Sequence, residues 1–271
     1  MSRILTFSIT LLMGSSTVFA NTPNLKTEPK LIKCESTKEY VTTVQFLRDK
    51  KDFGIDQAGI LKIADEISLG CSGASQRFIK ITRLLTKVGI DTKNSIETAK
   101  RFAAKDDSFV DAFITIFKQT YNQDELDLDA LNALKISTQL SVEFDGTVKH
   151  AVSDFNELAN FCKSRKEMDL PLPKCAELAT KVTRLGQNFE EPIAKPFIKL
   201  VHFLEENKRG PEKPKNQVLD IAQKVMVNGP QASENFIQAY RFANSKDGLG
   251  FTDQNAIEFG IKMSARSFKK L

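Results

Sequence analysis

Two histidines, His150 and His202, and four cysteines, Cys34, Cys71, Cys162 and Cys175, are the only imidazole and thiol groups in the 271-residue chain. Their spacing excludes more chemistry than it offers. The cysteines are scattered without a C-x-x-C pair, so no zinc or other metal site is expected. No G-x-S-x-G, H-E-x-x-H or phosphate-binding loop occurs. Thirty-four carboxylates are present, and no two of them stand out as the acid and nucleophile of a glycosidase. The stretch Lys246–Asp253 has a superficial likeness to a calcium loop. With Asp247 as its third position, the fifth and twelfth fall on Leu249 and Ala256, which cannot ligate through their side chains. That stretch is read as a turn entering a helix, and the acidic Asp124–Asp129 as a solvated turn and helix start. No cofactor is expected. The absence of Trp beside 20 Phe disfavours a cleft built for stacking sugars.

Any site must therefore come from the arrangement of elements, and the chain repeats itself. A small residue followed three positions later by an apolar one recurs as Ala64/Ile67, Ala99/Phe102, Ala133/Ile136, Ala179/Val182, Ala222/Val225 and Gly260/Met263. Three positions earlier stand Leu61, Ile96, Ala130, Ala176, Leu219 and Ile257. These offsets lie on one helical face. A second amphipathic helix follows each of the first five, marked by Phe78, Phe113, Phe155, Phe197 and Phe236. Three of these markers lie 14 residues after their alanine, and Phe155 and Phe197 lie 22 and 18 after, so insertions are expected before both. Tyr40 to Phe46 reads as an isolated helix of the phenylalanine type. Asp56, Asp91, Asp127 and Thr252 are placed to cap the alanine helices.

One such hairpin cannot bury its apolar face, but a stack can. The expected fold is all-α: a right-handed-type α-solenoid of five to six hairpins of about 35–45 residues. It resembles the tetratricopeptide and HEAT architectures over about residues 37–268. The Trp, Leu-Gly step and closing Pro of the tetratricopeptide pattern are missing, so the resemblance is architectural only. Antiparallel helices would bring Cys34 to Cys71 and Cys162 to Cys175, and those are the expected disulfides. Residues 37–271 are read as a single domain, with a candidate hinge at 207–216, where charge, Gly210 and two prolines concentrate.

Two ladders of outward residues follow from the repeat. Two positions after the small residue stand Glu66, Arg101, Lys135, Lys181, Lys224 and Lys262. Five positions after the phenylalanine marker stand Arg83, Lys118, Asn160, His202 and Arg241, the last beside Tyr240. Lysines and arginines at outward positions often serve solubility alone. If the phenylalanine helices form the concave layer, the second set would offer a groove to an acidic, extended protein or peptide. The net charge of +5 is too small and too diffuse to suggest nucleic acid.

Residues 1–20 read as a secretory signal peptide cleaved after Ala20, and 21–36 as a flexible leader. No later run is apolar enough for a membrane span. Together these features imply an exported module, periplasmic or extracellular, that binds or scaffolds a protein or peptide without catalysis. An envelope enzyme or inhibitor acting on cell-wall material, or a purely structural envelope protein, are the alternatives.

Overall fold

The computed structural model describes residues 36–70, 72–164, 166–206 and 214–266. Among them are twelve α-helices and no strand. They are α1 (Ser36–Asp49), α2 (Gln57–Ser68), α3 (Ala74–Lys87), α4 (Thr92–Ala103), α5 (Asp107–Tyr121) and α6 (Ala130–Gln139). Then follow α7 (Val148–Lys163), α8 (Leu172–Leu185), α9 (Ala194–Glu206), α10 (Lys215–Met226), α11 (Ala232–Asn244) and α12 (Asp253–Ser264). Among the described residues no helix is long and apolar enough to cross a membrane. The expected signal peptide, the leader up to residue 35, the Cys34–Cys71 pair and residues 207–213 of the candidate hinge lie outside the described residues.

Local chemistry sets the helix starts. Asp56, Asp91 and Thr252 accept hydrogen bonds from the backbone N–H groups of Gly59, Asn94 and Asn255, each cap worth about 1 kcal/mol. At α6 the expected cap is corrected. Asp129, not Asp127, accepts from Leu131 and Asn132. Asp127 lies in the preceding turn at φ 48°, because Leu126 is first drawn fully into the core. All five phenylalanine markers are fully buried, as are Ala64, Ala99, Ala133, Ala179 and Ala222.

The helices pack in sequence-adjacent pairs, α1 with α2 and onward to α11 with α12, an arrangement compatible with a helical repeat. The pairing corrects the expected phase. The helix at Tyr40–Phe46 is not isolated: it is part of α1, the first arm of the first hairpin, and six hairpins run from phenylalanine helix to alanine helix. Successive odd-numbered helices also touch along the whole series, α1 to α3, α3 to α5 and so on to α11. Even-numbered helices meet at α2–α4, α8–α10 and α10–α12, whereas contacts of α6 with α4 and with α8 are sparse at most. This explains why Leu61 and Ala130, expected inward, are not fully covered. Leu61 is on the terminal α2, and Ala130 is on α6, which lacks close even-numbered neighbours.

Polar latches within and between hairpins recur at a single repeat position, the residue before the aromatic marker. In α1 this is Glu39, whose Oε1 and Oε2 accept from the N–H groups of Gly73 and Ser75 at the start of α3, at 3.0 and 2.7 Å. In α7 it is Asp154, which accepts from Ile193 and Ala194 at the start of α9. In α3 the same position holds Arg77, which donates to the carbonyl of Ala103 that ends α4 and pairs with Asp107 opening α5. In α11 it holds Asn235, which donates to the Ser264 and Arg266 carbonyls beyond α12. Acids thus meet helix N-termini and donors meet helix C-termini, the preference of the helix dipole.

Cys162 lies in the last turn of α7 and Cys175 in the first turn of α8. The two sulfurs stand at disulfide distance with Cα atoms 5.3 Å apart, closing the seventh and eighth helices into a cross-linked hairpin.

Candidate functional site

The rung residues of the odd-numbered helices have an unforeseen structural context. Arg83 of α3 lies over the ring of Phe46 of α1, 5.5 Å from its centroid. Arg241 of α11 lies over Phe203 of α9 at 5.4 Å. His202 of α9 meets Phe161 of α7 edge to face at 5.5 Å. In each case a residue five past one marker covers a residue six past the previous marker. For Lys118 and Asn160 the corresponding earlier residues are Leu84 and Gln119, which offer no ring. Three of the five rungs therefore have a packing role between hairpins, worth about 0.5–1 kcal/mol for an exposed cation–π contact. The ion pairs repeat likewise. Lys80 of α3 meets Asp111 of α5 at 2.8 Å, and Lys199 of α9 meets Glu234 of α11 at 2.5 Å, both from two past one marker to two before the next.

Two of the concavities on this odd-numbered surface take in the rung residues. One of about 670 Å³ lies between α3 and α5. Arg83 and Lys118 both line it, over an apolar floor that includes Ile79, Leu84, Val110 and Ile114. Five cations, Arg77, Lys80, Arg83, Lys87 and Lys118, face only Asp107 and Asp111 there. Those two acids are engaged by Arg77 and Lys80. Arg83, Lys87 and Lys118 have no ion pair among the described residues. The other concavity, about 570 Å³, brings together His202 and Arg241 between α9 and α11. There Lys195, Lys199 and Arg241 are balanced by Glu157, Glu206 and Glu234, and His202 Nε2 lies 3.4 Å from Glu167. Asn160 is exposed on α7 and lines neither concavity. Tyr240 is 3% exposed; its hydroxyl donates to Asp253 Oδ1, so it belongs to the packing between α11 and α12.

A larger opening, about 760 Å³, was not anticipated. It runs between α6 and α8 where those helices diverge, and includes Lys135 and Lys181 of the other ladder. The sequence carried a signal for it in the two insertions, before Phe155 and before Phe197, that flank this region. Elsewhere on the even-numbered helices, Arg101 is paired with Glu143 at 2.7 Å, and Glu66 with Lys100. Among the described residues no group of three or more His, Cys, Asp or Glu is placed to hold a metal ion.

No family model, no curated protein and no solved structure matches this chain.

Proposed function

We propose that this chain is an exported α-solenoid that binds an acidic, extended segment of a protein partner without catalysis. Its groove is the concavity between α3 and α5. The observation that carries this reading is the excess of three cations over an apolar floor, with Arg83, Lys87 and Lys118 in no ion pair among the described residues. Such a surface attracts carboxylates at long range and can bury apolar side chains between them. The unbroken contact among odd-numbered helices, against the spreading of the even-numbered ones, supports placing the odd layer on the inner side of a superhelix. The Cys162–Cys175 pair supports an oxidising compartment.

The test is capture of partners from extract and medium by the full chain, beside R83E/K118E. A partner held by the native chain, lost from the variant and weakened by raised salt is the expected result. Equal capture by both forms would remove this groove from consideration.

A further inference from the structure

We propose that the groove between α6 and α8 is a docking site for an acidic amphipathic α-helix of about three turns, supplied by another protein. It lies on the even-numbered helices and stands independently of the α3/α5 reading.

The opening has a local cause. α5 and α7 are in contact, and each holds its hairpin partner, yet α6 and α8 barely meet. The long α6–α7 connection passes against the Gly186–Asn188 turn that follows α8. A Cβ on Gly146 of that connection would come within 2.5 Å of the Gln187 carbonyl oxygen. The connection thus wedges the two helices apart at that end. What remains is one face of α6 from Asn132 to Gln139 and one face of α8 from Pro173 to Arg184, with no helix between them. At 1.5 Å per residue the longer wall runs about 16 Å, three helical turns.

The walls choose the kind of occupant. Both are helix faces, and away from the helix ends their backbone N–H and C=O groups are consumed within their own helices. An extended peptide would find no backbone partners there, whereas a helix brings its own bonds satisfied. Leu128, Ile136 and Leu185 supply apolar surface, and Val227 lines the groove as well, 59% exposed. Lys135, Lys181 and Arg184 edge the groove against Glu177. None of the three cations has an ion pair among the described residues. The complementary helix has an apolar stripe flanked by Asp or Glu.

The same charge argument disfavours the chain's own remaining segments. Residues 1–35 hold four cations against two carboxylates, 207–213 three against one, and 267–271 two against none. Each would bring positive charge to a positive groove.

The probe is a fluorescein-labelled 15-residue peptide with leucines at i, i+4 and i+7 and glutamates beside them. Its twin carries lysine for every glutamate. Binding to the full chain is followed by fluorescence anisotropy and by the helical circular dichroism gained on mixing. The acidic peptide should bind as a helix, with the lysine twin at least about tenfold weaker. K135E/K181E/R184E and V227D should each lose about tenfold or more in affinity for the acidic peptide. All these side chains are at the surface of the groove, and an unchanged melting curve for each variant verifies its fold. R83E/K118E should bind the acidic peptide as the native chain does. Equal binding of the twins, no binding of the acidic peptide, or loss only in R83E/K118E would each overturn the proposal. So would self-association of the chain that V227D abolishes, which would assign the groove to a second copy.

Discussion

At the residue scale, Glu39 and Asp154 occupy the same repeat position and do the same job under different electrostatics. Burial pushes the Glu39 carboxyl up, but hydrogen bonds from Ser75 and Gly73 outweigh it and hold the group below the usual glutamate range. Burial dominates at Asp154 and leaves its carboxyl above the usual aspartate range despite the Ala194 and Ile193 N–H groups. Glu39 thus adds stability at neutral pH, which is lost as pH falls from the unfolded glutamate value through the lower folded one. Asp154 works in the opposite sense: the fold favours its protonated form, so its titration adds stability as pH falls through the raised folded value. The geometries also differ. Each Glu39 oxygen serves a separate donor, whereas Asp154 Oδ1 alone is within reach of both Ile193 and Ala194. E39Q should therefore cost about 2 kcal/mol at neutral pH, shrinking in acid. D154N, keeping the shared oxygen, should cost less than half as much, and D154A more than D154N. Urea unfolding of the three variants across a pH series checks both the order and the slopes.

At the element scale, close approach of paired helices depends on the small residue of the alanine helix. Gly260 of α12 is the extreme case, since an added Cβ would lie 2.8 Å from the Phe236 ring of α11. A glycine inside a helix ordinarily gains about 0.4–1 kcal/mol on replacement by alanine. Here the ring is fully buried and cannot move aside, so overpacking decides the sign. G260A should destabilise by about 1–2 kcal/mol, and F236L should recover most of that loss in the double variant. Thermal unfolding of the cycle measures it, and a stabilised G260A would show that the two helices can separate at little cost. The small residue and its spacing were legible in the sequence because helical periodicity is local. The partner across the interface was not. Alanine and phenylalanine helices alternate along the chain, and the spacing that repeats at 35 residues is the same whichever neighbour is chosen. Tyr40 could therefore be assigned to an unpaired helix until the contact of α1 with α2 was known.

For the whole molecule, the packing of helices in neighbouring pairs leads us to expect that a local cross-link acts on its own neighbourhood, as in helical repeats. Cys162 and Cys175 are 13 residues apart, and closing a loop of that size constrains the unfolded chain by about 3 kcal/mol in the entropy description. C162A/C175A should lose about that much stability, with hydrogen exchange rising first in α7 and α8. Exchange rising equally from α1 to α12 would mean that the twelve helices unfold as a single unit.

Repeat period, helix type, three of four proposed caps and the Cys162–Cys175 pairing follow from the sequence alone. Each depends on offsets of a few residues, or on two ends that a short connection brings together. Tertiary structure decided what those offsets could not: the hairpin phase, and the withdrawal of Tyr240 into the core. It also decided the seating of Arg83, His202 and Arg241 on earlier aromatic rings, and the gap between α6 and α8. These depend on which helices touch across separations of 35 residues and more. Such contacts are selected by the packing of the whole series and by the space taken up by inserted connections, which no single helix encodes.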